Sequence, residues 1–254
     1  MRLAVITDIH GNVLALRAAL ADIARRGIEE VICLGDIASG MGWPSETIDL
    51  LRERGIPCIR GNHDRHVGEA PGEKLRGQDG IAFNHTTPDQ RAWLRDLPRT
   101  LHLAGGILAC HGSPSSDTQN LLEDARGGVF VQSPLSDIRA RLGEVGLAAR
   151  VVLCGHSHRY EVMQVPGGPL VVNPGSLGLP GFRVGKGEDV TRSESRAPHA
   201  RYAVLHLPPD APPEAELLAI RYDWDAAADR AVELGSEVWA HMIRTGFLPE
   251  STPG

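Results

Sequence analysis

The chain has 254 residues, 42% of them hydrophobic and 23% charged, with 26 Lys and Arg against 32 Asp and Glu for a formal charge of −6. That profile excludes disorder, collagen-like repeats and a disulfide-stapled miniprotein, and a chain of this length is expected to fold as one domain over residues 1–254. From Asp210 onward there are nine acids and three bases, so residues 1–209 are neutral and offer no basic stripe for extended nucleic acid.

No stretch approaches the ~18 consecutive apolar residues of a membrane helix. Asp8 interrupts the N-terminal apolar run too early for a signal peptide. Cys33, Cys58, Cys110 and Cys154 lie in or beside apolar runs without a Cys-x-x-Cys pair, which reads as buried free thiols in a reducing cytoplasm.

In chain order, Leu3-Ala4-Val5-Ile6 reads as a short buried strand, and residues 12–26 place Val13, Leu16, Leu20 and Ile23 at helical spacing before Gly27. A second strand (31–34), a second helix (45–54) and a third strand (56–59) follow, which implies a parallel sheet with right-handed crossovers. Further on, residues 89–97 look helical, 100–110 form two short strands turning at Gly105-Gly106, 113–130 are loop-rich and 134–145 helical. Strands are predicted over 150–154, 160–165 and 170–172, a closing pair over 202–207 and 217–222, and one amphipathic helix over 225–243. Residues 178–198 have little apolar periodicity and read as a long surface loop.

Polar residues gather where strands end. The first strand runs into Asp8-Ile9-His10, the second into Gly35-Asp36, the third into Gly61-Asn62-His63-Asp64, and later strands deliver His111-Gly112 and Gly155-His156-Ser157-His158. Ligands of open α/β sheets bind beyond the carboxyl ends of the strands, so these five segments converge on one rim. Carboxylates, imidazoles and one amide, without thiolates, suit a hard or borderline divalent ion. Eight such donors exceed what one catalytic ion with open positions needs, and fit two ions about 3.5–4 Å apart sharing a carboxylate.

The series Asp-x-His, Gly-Asp, Gly-Asn-His-Asp, His-Gly, Gly-His-x-His strongly resembles the calcineurin-like metallophosphoesterases, with all five blocks present in order through about residue 177. Asn173-Pro174-Gly175-Ser176 and Tyr202-Ala203-Val204-Leu205 are similar to the small bacterial phosphodiesterase-like branch of that family. The resemblance implies a four-layer α/β/β/α sandwich with two mixed sheets. Position by position it implies that Asp8, His10 and His158 bind one metal, that Asp36 bridges, and that Asn62, His111 and His156 complete the second. His63 would contact phosphate and protonate the leaving oxygen, as a group titrating near neutrality can. The nucleophile would be a metal-bridging hydroxide attacking in line, with Asn62 and the ions stabilising the equatorial oxygens.

The cofactors implied are two divalent transition-metal ions, Mn²⁺ first and Fe, Zn, Ni or Co as alternatives. The favoured substrate is a small phosphodiester of nucleotide or cyclic-nucleotide type. Phosphomonoesters, dinucleoside polyphosphates, a nuclease acting on long DNA and a non-catalytic metal-binding scaffold for a protein partner are the alternatives.

Asp64 reads either as a partner orienting a neighbouring histidine or as a cap of the next segment. Asn12 reads as a helix N-cap, and Arg159 either touches substrate or lies on the surface. His66 is near enough to the site to matter, whereas His85, His102, His199, His206 and His241 carry no such signal. Trp224, Trp239 and Met242 read as core or interface residues. Two departures from the family pattern bear on specificity: the 178–198 segment is longer than the turn of that branch, and Ser113-Pro114 opens a loop that should wall the site.

Overall fold

A computed structural model describes residues 1–185 and 190–250. The elements in chain order are β1 (Arg2–Ile6), α1 (Val13–Arg25), β2 (Glu30–Cys33), α2 (Pro44–Glu53), α3 (Asn62–Glu69), α4 (Gly77–Asn84), α5 (Pro88–Asp96), β3 (Thr100–Leu103), β4 (Ile107–Cys110), β5 (Glu123–Arg126) and β6 (Val129–Gln132). They continue with α6 (Leu135–Leu147), β7 (Val151–Leu153), β8 (Tyr160–Gln164), β9 (Leu170–Pro174), β10 (Gly181–Val184), β11 (Thr191–Glu194), β12 (Ala200–His206), β13 (Glu214–Ile220), α7 (Trp224–Glu233) and α8 (Glu237–Thr245). Among the described residues no helix is long and apolar enough to cross a membrane.

Two mixed sheets, ordered β13-β12-β1-β2 and β3-β4-β7-β9-β8, pack face to face. Because side chains alternate along a strand, β1 sends Leu3 and Val5 into the space between the sheets, against Val151, Leu153 and Val172. The same strand sends Ala4 and Ile6 outward onto Leu16, Ala19, Ile48 and Leu51 of α1 and α2. On the far side, Leu108, Val152 and Val171 pack on Ile138 and Leu142 of α6. The α/β/β/α layering is therefore written into the period-2 pattern of the strands. Asn12 caps α1 as predicted, its side chain accepting from the Ala15 amide at 3.1 Å. The third predicted strand shrinks to one parallel bridge between Cys33 and Cys58, since Pro57 has no amide to donate.

Three expectations are corrected. Residues 178–198, of which 186–189 lie outside the described residues, are not a surface loop throughout: β10 and β11 belong to a third sheet, ordered β10-β11-β6-β5, that lies against the His156–His158 turn, with Ser193 Oγ donating to the Ser157 carbonyl at 2.9 Å. Its alternation is real but carried by hydroxyls, Thr191 and Ser193 being buried between the outward Arg192 and Glu194. The helix predicted over 225–243 is two, because Gly235 turns left-handed (φ 86°) and the Ser236 hydroxyl caps α8 by accepting from the Trp239 amide at 3.3 Å. Helices α3 and α4 were not foreseen, since Asn62–Glu69 and Gly77–Asn84 carry internal glycines and few apolar residues.

Candidate metal centre

Backbone hydrogen bonds continue the β1–β2 pairing past the sheet: Asp8 N donates to Gly35 O at 3.0 Å, His10 N to Asp36 O at 3.0 Å, and Gly11 N to Ile37 O at 2.9 Å. The two loops are thus zipped together, and Asp8, His10 and Asp36 emerge side by side. Six described non-glycine residues hold a positive φ, and five of them are predicted ligands: Asp8 (53°), His10 (50°), Asp36 (53°), His156 (66°) and His158 (56°). Such conformations are sparsely populated and persist where the surroundings enforce them. Here they aim the side chains at one point.

The donor atoms fall into two groups, Asp8 with His10 and His158, and Asp36 with His111 and His156, each within a span of 4.8 Å. Second ring nitrogens are tied to the backbone. His10 Nδ1 donates to Ser39 O (2.6 Å), His111 Nδ1 to Leu34 O (2.8 Å) and His158 Nδ1 to Leu179 O (2.9 Å). Each Nε2 is left facing the carboxylates, His158 at 3.3 Å from Asp8 Oδ1 and His111 at 3.2 Å from Asp36 Oδ2. Asp8 uses its other oxygen, Oδ2, to accept from Thr7 Oγ1 and the His156 amide. Asp8 Oδ1, Asn62 Oδ1 and His111 Nε2 are buried without a hydrogen-bond partner. Buried polar atoms normally find partners, and Asp8 Oδ1 and His111 Nε2, 4.0 Å apart, are placed to share a cation instead.

Electrostatics point the same way. Burial opposes ionisation of Asp8, yet His158 and His111 outweigh it and hold its pKa at about 2. Burial also opposes ionisation of Asp36, but His111 and His63 keep it well below the usual carboxylate range. Burial, with His158 beside it, pushes His10 down to about 4, and burial with His111 does the same to His156. These donors already have the protonation state a cation requires. Against burial, Asp36 and Asp8 push His111 up to about 10, so that ring would release a proton on binding.

His63 belongs to neither group. Its Nδ1 faces Asp79 Oδ1 at 2.7 Å, and Gln78 Nε2 lies 3.0 Å from its Nε2. Asp79 also meets His66 Nδ1 at 3.1 Å and Ser39 Oγ at 2.5 Å. Burial disfavours charge on His63, but Asp36 and Asp79 raise its pKa to about 9. Sequence reasoning missed Asp79 and Gln78. The one available signal was the i, i+3 spacing of His63 and His66, which puts both on one face of α3.

Among the described residues the Asp64 carboxylate hydrogen-bonds backbone amides rather than a histidine side chain. It accepts from the amides of Asp36 (2.8 Å), Ile37 (2.9 Å) and Gly61 (3.0 Å), and so both caps α3 and fixes the Asp36 backbone. Arg159 does not line the cleft; its charge lies near Glu123 and Glu161. The loop after Ser113 does wall the site, through Thr118, whose carbonyl accepts from His156 Nε2 at 3.1 Å. Beside the donors is a cleft of about 650 Å³, one wall of which comes from β10 and α8, including Phe182 and Trp239. Trp239, read from the sequence as core or interface, is half-buried against the α7–α8 core and lines the cleft, its ring standing 6.4 Å from that of His10.

Two packed mixed sheets with carboxylate, imidazole and amide donors at one rim define a metallophosphoesterase architecture. The calcineurin-like phosphoesterase superfamily domain matches residues 1–191, and the chain belongs to that superfamily, whose members are metal-dependent. Similar solved structures are a metallophosphoesterase from Sphaerobacter thermophilus (22% identity, TM-score 0.72, covering 97% of this chain and 100% of that one) and the hypothetical protein PH1004 from Pyrococcus horikoshii OT3 (22%, TM-score 0.76, 98% and 99%). The uncharacterized protein MJ0912 of Methanocaldococcus jannaschii is 47% identical over 65 residues, a match spanning 26% of this chain and 27% of that relative.

Proposed function

We propose that the chain hydrolyses small phosphodiesters of nucleotide or cyclic-nucleotide type with two divalent metal ions. Asp8, His10 and His158 would hold one ion and Asn62, His111 and His156 the other, with Asp36 shared. The observation that carries this reading is the pair of three-donor groups, in which Asp8 Oδ1 of one and His111 Nε2 of the other are buried and unpartnered. When bound, such ions supply the positive charge that draws a phosphate and the Lewis acidity that activates water near neutral pH.

The chain's own residues do the rest. Asn62, at the first turn of α3, orients an equatorial phosphate oxygen through its side-chain amide. His63 stands beside the ligand set without joining it and hands a proton to the departing oxygen, with Asp79 holding Nδ1 so that Nε2 is the donor. A diester leaving group is a poor alkoxide and gains most from that proton, which favours diesters over activated esters as natural substrates. Mixed oxygen and nitrogen donors suit Mn²⁺, with Fe, Zn, Ni or Co as substitutes. Four buried free thiols support a reducing, cytoplasmic setting.

The test is to strip the purified chain with chelator, confirm by elemental analysis that metal is gone, and assay aryl mono- and diesters and then nucleotides before and after adding Mn²⁺. Activity should vanish and return with about two ions per chain. Full turnover by verified metal-free protein would overturn the reading.

A further inference from the structure

We infer that the apolar wall beside the metal donors is a subsite for a planar aromatic or heteroaromatic ring carried by the ester arm that stays on phosphorus, as in a nucleoside phosphodiester. The inference rests on the diesterase reading above and adds which face of the cleft takes the organic group.

Three observations carry it. The cleft, at about 650 Å³, has the size of sites that hold nucleotide-sized ligands and far exceeds a phosphate. One wall is apolar: Phe182 of β10 packs with Val238 and Trp239 of α8 over buried Leu179, Met242 and Leu248, and Val184 lines the same cleft. The wall also abuts the donors directly, the Phe182 ring standing 4.6 Å from that of His158 and the Trp239 ring 6.4 Å from that of His10. A phosphate drawn to the donors would therefore set its ester arm against Trp239 and Phe182, where stacking replaces contact between water and two half-buried rings.

Charge distinguishes this from a polyphosphate site. Arg183 is the one Lys or Arg lining the cleft among the described residues, so further phosphates would find little counter-charge there. The organic arm suits the wall better. Helix α8 can present Trp239 this way because the chain breaks at Gly235 and starts again under the Ser236 cap.

Thymidine 5′-(4-nitrophenyl phosphate) and methyl 4-nitrophenyl phosphate release the same phenolate and differ in the arm that stays, so their comparison isolates the subsite. With Mn²⁺ present, the wild type should prefer the thymidine ester, chiefly through a lower KM. Trp239→Ala should cut kcat/KM for that ester by roughly 5- to 150-fold, the usual worth of stacking one base, while the methyl ester loses much less. Trp239→Phe should restore most of the preference. As a readout independent of turnover, thymidine 5′-monophosphate should quench tryptophan fluorescence in the wild type, and most of that quenching should disappear in Trp239→Phe. Equal kcat/KM for the two esters in the wild type, or equal losses for both in Trp239→Ala, would overturn the subsite. Quenching without hydrolysis of either ester by the metal-loaded protein would uphold the subsite and overturn the diesterase reading instead.

Discussion

Asp79 Oδ1 accepts from His63 Nδ1 at 2.7 Å, and this leaves the opposite ring nitrogen beside Gln78 on the cleft side. The carboxylate therefore sets both the ring's orientation and its affinity for a proton. Asp79→Asn is expected to lower kcat for an alkyl diester by about 10- to 100-fold. Because Asp79 raises the His63 pKa, the basic limb of the pH–kcat curve should move to lower pH while metal content stays constant. An unmoved limb would show that Asp79 is only structural.

His63→Ala should retain the parent's metal content and fold. Its effect should depend on the leaving group: about 10²- to 10⁴-fold for alkyl diesters, the usual worth of a positioned acid, and much less for nitrophenyl diesters, whose phenolate departs unaided. Equal losses for the two substrates would mean that His63 positions phosphate and that the proton comes from elsewhere.

Asp36→Asn and Asp64→Asn should separate. Asp36 faces His111 and His10 with its carboxylate, whereas Asp64 faces three backbone amides. The first variant should lose metal and nearly all activity. The second should melt lower, because an amide offers one acceptor oxygen where two are used, at about 1–2 kcal/mol for a weakened buried hydrogen bond. Identical activity losses with full metal in both would contradict these roles.

Glu123 is buried beneath the His156–His158 turn, accepting from Ser157 Oγ at 3.1 Å with its other oxygen unpartnered. Burial pushes its carboxyl up to about 7 from 4.5. The folded state thus binds this proton more tightly than the unfolded chain does. The associated stability is complete below about pH 4.5 and lost as pH rises through about 7. Glu123→Gln in the metal-free protein should raise Tm by several degrees at pH 8 and by almost nothing at pH 4. A constant difference between the two pH values would rule out this ionisation as the cause.

Four of the five motif blocks were legible because each follows a strand, where sequence adjacency translates into a known rim of the fold; the Asn62-His63 block follows a single bridge at Cys58 and opens α3. Asp8, His10, Asp36, His111, His156 and His158 do meet there. Asp79 was not legible, since its helix, Gly-Gln-Asp-Gly-Ile-Ala-Phe-Asn, has no apolar stripe or cap to announce it and reaches His63 only through tertiary packing. The β10–β11 pair escaped notice because Thr191 and Ser193 fill positions where hydrophobic alternation would have been sought. Trp239 reads from the sequence as core or interface, and it does pack on buried residues of α7 and α8 while also lining the cleft, a second role that helical spacing alone does not reveal.

The left-handed backbone at Asp8, His10, Asp36, His156 and His158 sets selection for activity against selection for a robust scaffold. An L-residue held in that region costs about 1–2 kcal/mol, so the positions a phosphoesterase can least afford to change are ones where a different residue would fold more comfortably. His156, the least buried of the five, is where this trade can be read directly. His156→Asn introduces a side chain that tolerates the conformation, and the metal-free variant should melt no lower than its parent even as activity falls. Stabilising libraries screened only for melting temperature would therefore drift toward dead enzymes at this rim, and thermostable variants of this scaffold should be sought elsewhere in the sheets.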